Sequence, residues 1–210
     1  GSAQHAADEL KKLKVAKNGD PWHRDGWLFQ MISWIAANQE KQGAVLAPPH
    51  IFHAHKGFDG VQLEISGDGK SVTAVVIFED KATEKARRTI KRDVWPDIAD
   101  LEAGGRIAEL THEASAILER QQHQYPDLDI DDAIDRILWQ EARRYRVSIS
   151  IDDKHKPGDQ RKKLFKHYDA SAAGNVVRRR AETMHFDDLR EWMANFSHLV
   201  AEKIKAIANV

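Results

Sequence analysis

From Ser71 to Phe78 the chain reads SVTAVVIF, apolar on both alternating faces, as in a strand covered on two sides. Polar residues return at Glu79-Asp80-Lys81, so charge emerges where a buried strand reaches its end. Gly60 to Ile65 (GVQLEI) predicts a second strand, and Ser66 to Lys70 (SGDGK) is turn-rich, so the two form a hairpin that carries Asp59 toward Glu79. A third strand is expected from Arg144 to Ile151. There Tyr145, Val147, Ile149 and Ile151 alternate with Arg144, Arg146, Ser148 and Ser150, which predicts a half-exposed strand nearer the sheet edge than the one leading to Glu79.

Helical spacing dominates elsewhere. Ala3 to Lys17 is a polar, lysine-rich helix, an arm or a cap. Across Arg24 to Lys41, Trp27, Leu28, Met31, Ile32, Trp34 and Ile35 form a wide apolar stripe, with Gln30 beside it. After Lys81 the chain turns helical to Glu102, with Trp95-Pro96 expected to start or kink a helix and Gly104-Gly105 to end the unit. Arg106 to Gln124 sets Ile107, Leu110, Ala114, Ile117 and Leu118 on one face, and Asp129 or Asp131 is placed to cap the next helix, with Ile130, Ile134, Ile137 and Leu138. Asp152 to Gln160 is a charged loop, Arg161 to Tyr168 a short helix, and Ala170 to Arg180 a flexible basic link. From Asp187 to Ala208, apolar residues at three- and four-residue spacing make a long amphipathic helix, which packs on its own domain or pairs with a partner. The sum is an α/β fold, a central mixed sheet flanked by helices. One domain is expected over 1–210, with a helical arm at 3–17, a core at 24–151 and a helical C-terminal appendage at 161–208.

Composition narrows the class. With 210 residues, 41% hydrophobic positions, six Trp and seven Phe, the chain can bury a substantial core and is not a disordered polymer. No apolar run approaches the ~20 residues that cross a bilayer. No cysteine is present, which excludes disulfides and thiolate metal sites and suits a reducing cytoplasm. Net charge of −1 gives no global attraction to nucleic acid, so any such contact falls to local basic patches. Lys154, Lys156, Arg161 and Lys162 are the first candidates, followed by Arg143, Arg144, Arg146 and Arg178 to Arg180; the plain alternative for each is a solvated face. His50, His53 and His55 sit in a loop with Pro48-Pro49. Without the i, i+4 spacing of helical zinc sites, they read more simply as loop-packing residues.

Along an extended strand Glu79 and Lys81 share one face while Asp80 points away, so a carboxylate and an amine meet at one corner. In a chain with 31% charged residues such a triplet also arises by chance. Asp59 followed by Glu79-Asp80-Lys81 resembles the PD-(D/E)xK nuclease superfamily, over roughly residues 24–90. Phe58 replaces the usual proline, and Asp80 is less usual in the middle position. The resemblance implies a restriction-endonuclease-like fold and Mg²⁺-dependent hydrolysis of phosphodiester bonds in DNA, with Mn²⁺ as a substitute. Asp59 and Glu79 would hold the ion, with Asp80 lending only its backbone carbonyl. Lys81 would orient water or stabilise the phosphate, and Gln30 would line the site, with Glu40 a weaker candidate. The kind of relative implied is the cytoplasmic nuclease module of a phage-defence effector, controlled by a sensor or helicase partner or by self-association. Two other readings remain open: a non-catalytic binding or assembly module whose charged triad is a structural ion pair, and a metal-dependent hydrolase of a small phosphorylated molecule.

Overall fold

Strand pairing organises the chain. The computed structural model describes residues 2–16, 19–40, 44–46 and 58–208. A five-stranded mixed sheet runs in the order β1 (Ala44–Leu46), β2 (Gly60–Ile65), β3 (Val72–Lys81), β4 (Arg143–Ile151) and β5 (Arg179–His185). Pairing is antiparallel from β1 through β3 and parallel from β3 through β5. A tight turn suffices for the β2–β3 hairpin, and Gly69 supplies its positive φ of 72°. Parallel returns need long crossovers, and the helices are those crossovers.

Helices α3 (Ala86–Thr89), α4 (Trp95–Glu102), α5 (Ile107–Gln121) and α6 (Ile130–Leu138) lie between β3 and β4. They cover one sheet face, where Val75, Ile77, Tyr145, Val147 and Ile149 meet Ile90, Ile98, Leu110 and Ile117 in the main core. Between β4 and β5 come α7 (Gly158–Leu164) and α8 (Tyr168–Ser171), which add Leu164 and Tyr168 to that core. On the opposite face lies α2 (Trp22–Glu40), where Ala37 meets Val76 and Phe78. Helix α1 (Ser2–Leu13) and the long α9 (Leu189–Ala208) pack with α2 through Leu13, Leu28, Phe29, Leu189 and Met193. The C-terminal helix therefore has its apolar stripe largely occupied within the chain, while Leu199 and Ile207 point outward.

Three expectations change. Strand β4 lies one place nearer the sheet edge than β3, as expected, but it is not half-exposed: its polar face is buried with Arg146, Ser148 and Ser150. The edge strand beyond β4 is β5, drawn from the segment expected to be a flexible link and helical appendage. Its sequence RRAETMH has no apolar alternation, so its place rests on the parallel ladder to β4 and on ion pairs. Helix α2 buries a second face beside its apolar stripe: Leu28 of the stripe is buried with α1 and α9, Asp25, Phe29, Ser33 and Ala37 are buried as well, and Ile35 is exposed. That face meets a sheet surface carrying Asp80 and Arg146, which selects Ser33 over a larger apolar residue. Pro96 falls in the first turn of α4, where a helix is expected to start or kink, although no loop precedes it. Helices α3 and α4 are continuous through a π-helical segment at Ile90–Val94. Proline cannot donate to the carbonyl four residues back and its ring crowds that carbonyl, a conflict that a wider turn relieves. Asp129 is the cap of α6, its Oδ1 accepting from the Asp132 N–H at 3.0 Å.

Candidate active site

The hairpin register sets Gly60 opposite Phe78, which leaves Asp59 beside the last residues of β3. Glycine suits this close approach, since a Cβ at position 60 would lie 3.1 Å from the Phe78 ring, which would have to shift to admit it. The close approach lets Asp59 Oδ2 accept the Asp80 backbone N–H at 2.8 Å. Lys81 Nζ then bridges two carboxylates, Asp59 Oδ2 at 2.8 Å and Glu79 Oε2 at 3.0 Å. Gln30 reaches across from α2, its Nε2 donating to Asp59 Oδ1 at 2.5 Å. Gln30, Asp59, Glu79 and Lys81 thus meet at the C-terminal end of β3.

Charge is concentrated here with little water. Burial pushes the Glu79 carboxyl up to about 7; the Lys81 ammonium opposes that rise and the Asp59 carboxylate adds to it. Burial alone would lower the Lys81 ammonium, but attraction to Asp59 and then Glu79 holds it above its ordinary range. Once Glu79 ionises, two carboxylates face one ammonium and leave negative charge in excess. Arg106 lies 4.1 Å over the Phe58 ring, beside Asp59, and pairs with Glu109 at 2.8 Å.

Asp80 projects to the other face of the sheet, toward α2. Its Oδ1 accepts from Ser33 Oγ at 2.7 Å, and Arg146 Nη1 donates to the same hydroxyl at 2.9 Å. Arg146 also grips Glu182 on β5 through two bonds of 2.9 and 2.5 Å. Asp80 is therefore an anchor for α2, one helical turn from Gln30. Burial, then repulsion from Asp59, raises its carboxyl to about 8 against the pull of Ser33 and Arg146. A carboxyl raised in the folded state stabilises the fold at low pH, and that contribution is lost as pH climbs from about 4 toward 8. Asp80→Asn keeps an acceptor for Ser33 and removes the titration. In urea unfolding from pH 5 to 9, the variant should gain stability relative to wild type as pH rises; a constant difference would contradict the anchor's ionisation.

The basic residues expected to touch nucleic acid divide into two groups. Lys154, Lys156, Arg161 and Lys162 are exposed, after β4 and on α7, and none pairs with Asp59, Glu79 or Lys81. The arginine clusters are instead engaged within the fold, although Arg144, Arg179 and Arg180 stay partly exposed. Arg178 and Tyr145 hold Glu102, each at 2.6 Å, while Arg144 pairs with Glu64 and Arg180 with Glu182. Arg143 and Arg146 are buried. The His50, His53 and His55 loop and the Glu40 side chain lie outside the described residues. Asp153, His185 and Asp187 converge at the ends of β4 and β5, but the two aspartates are exposed and His185 Nε2 is already bonded to Asp153 at 2.9 Å.

A patch absent from the sequence expectations borders the strand end. Trp22, Lys85, Arg88 and Arg92 surround Ala82 and Thr83, the residues that follow Lys81. The signal was visible as KARRTIKR from Lys85 to Arg92, but Ala86, Ile90 and Val94 fall on the same turns, so the run reads as one more amphipathic helix. No protein-family model matches the chain, and no curated protein matches it in sequence.

Proposed function

We propose that this protein is a metal-dependent phosphodiesterase that cleaves DNA, with Asp59, Glu79 and Lys81 as its working side chains and Gln30 positioning Asp59. One observation carries the reading. A nearly buried strand end holds two carboxylates against one ammonium, with Glu79 displaced to about 7 by that burial. A purely structural ion pair would balance its charge, because desolvating an unmatched carboxylate is destabilising. Above the Glu79 titration, where both carboxyls are ionised, the surplus asks for a further cation. The donors fit a hard one, since Asp59, Glu79 and the Asp80 carbonyl all present oxygen. Mg²⁺ or Mn²⁺ held there would supply a Lewis acid to offset charge gathering on the phosphate.

The chain's own groups account for the rest. Lys81 presents an ammonium on the side of the sheet shared with Glu79, where it orients a water for attack or donates to a phosphate oxygen. Gln30 and the Asp80 N–H fix the Asp59 carboxylate from two directions, so its oxygens do not reorganise during the reaction. Among the described residues no helix is long and apolar enough to cross a membrane. A cytoplasmic phage-defence nuclease, governed by a sensor or helicase partner or by self-association, agrees with the resemblance. The outward Leu199 and Ile207 of α9 are where such a partner would bind.

The competing reading is a binding or assembly module whose triad is structural, and the Lys81 bridge to both carboxylates favours it. Plasmid and linear DNA incubated with Mg²⁺ or Mn²⁺ separate the two. Wild type is expected to cut, and Glu79→Gln, which keeps an acceptor for Lys81, is expected not to. Equal cutting by both would remove Glu79 from the chemistry.

A further inference from the structure

Beyond the strand end runs a cleft of about 420 Å³, within the size range of sites that take a nucleotide-sized ligand. Its floor is Ala82 and Thr83, immediately after Lys81, and Thr83 is fixed by its N–H bond to Ser150 Oγ at 2.7 Å. One wall is the start of α3 and the π-helical segment, which present Lys85, Arg88 and Arg92. The other wall is Trp22, at the first residue of α2, and Arg190 of α9. Arg190 is engaged by Asp25 at 2.5 Å and Glu84 at 3.0 Å. Lys85, Arg88 and Arg92 are exposed and make no ion pair among the described residues, so they outnumber the single exposed acid of the cleft, Asp93.

Trp22 is the unusual member. It is 66% exposed, although tryptophan has the largest apolar surface to hide. Its backbone N–H is tied to Asp20 Oδ1 at 3.2 Å, which fixes the entry to α2. An exposed aromatic face across from free cations is the pairing that grips single strands, where bases stack on the ring and phosphates meet the cations. A duplex keeps its bases stacked on one another, so it would use the cations and not the ring.

Resting on the phosphodiesterase reading of the adjacent strand end, we propose that this cleft is the path of a single-stranded DNA segment. Phosphates lie along Lys85, Arg88 and Arg92, an unpaired base stacks on Trp22, and the strand is delivered to Lys81. The same chemistry makes single-stranded DNA, or an unpaired region within a duplex, the preferred substrate.

Fluorescence anisotropy of the full chain with a short fluorescein-labelled oligothymidine, in EDTA at several salt concentrations, tests this. Trp22→Ala is expected to weaken binding on the order of tenfold while leaving a duplex of equal length unaffected. Arg88→Ala with Arg92→Ala is expected to reduce the slope of log affinity against log salt by about 1.4. Lys70→Ala with Lys203→Ala, both exposed and away from the cleft, serves as the control and should change neither. The proposal is overturned by absent oligothymidine binding, by binding unchanged in both cleft variants, or by equal loss on the duplex. EDTA removes any need for metal chemistry. Binding through the cleft without Mg²⁺-dependent cutting would therefore sink the strand-end reading alone, and cutting by wild type with insensitive cleft variants would sink the cleft alone.

Discussion

Asp59→Asn is expected to lower Mg²⁺-dependent DNA cleavage by on the order of a hundredfold or more, the scale for losing one preorganised electrostatic group. The substitution is nearly isosteric, and the hydrogen bonds around it can be kept. The new side-chain amide would present its carbonyl oxygen to the Asp80 N–H and Lys81, as Asp59 Oδ2 does now. Its NH₂ would face Gln30, whose own amide can rotate to offer oxygen instead of the Nε2 that now donates. Folding should therefore survive while the negative charge is lost. Single-turnover cleavage of a labelled substrate measures the effect, with circular dichroism confirming the fold. Wild-type rates in Asp59→Asn would mean that the carboxylate does not hold the reacting centre.

Lys81→Met carries the largest expected effect on stability. Removing the bridging ammonium leaves Glu79 and Asp59 facing each other without a cation. Breaking a buried pair typically destabilises by 3–5 kcal/mol, and the Lys81 side chain is 26% exposed, so the lower end, about 3 kcal/mol, applies in EDTA at pH 8. For a chain of this size that corresponds to a drop of roughly 6–12 °C in Tm. If the two carboxylates hold a divalent ion, Mg²⁺ takes over the role of the lost ammonium, and the variant should gain more Tm from Mg²⁺ than wild type does. A variant that melts low and gains no more from Mg²⁺ than wild type would favour the structural ion pair.

The candidate site was legible because it depends on short-range rules. Strand alternation pairs Glu79 with Lys81, and a hairpin whose turn contains Gly69 brings in Asp59. The helical position of Gln30 was also readable, although only the folded register of α2 against β3 shows it bonded to Asp59. What the sequence concealed was the polar interior of the other sheet face. Ser33, Asp80, Arg146 and Glu182 form a bonded chain from α2 through β3 and β4 to β5, and each alone reads as a surface residue. Their partners are 36 to 113 positions apart, beyond the reach of periodicity. Strand β5 was missed for the same reason, since its residues take a sheet position through pairing rather than hydrophobicity. The basic cleft was hidden differently. Arg88 and Arg92 share a helical face with each other, but Trp22 comes from a distant helix, and only the fold sets it opposite them.

Divalent-ion binding at the strand end is the sharpest test of a metal-dependent site, because it requires neither substrate nor activating partner. Mn²⁺ titrated into wild type and into Asp59→Asn/Glu79→Gln at pH 8, followed by electron paramagnetic resonance, compares proteins in which Asp153, His185 and Asp187 are intact. One Mn²⁺ site is expected in wild type and should be missing from the double variant. Equal binding by both proteins, or none by wild type, would contradict a metal at the Asp59–Glu79 strand end.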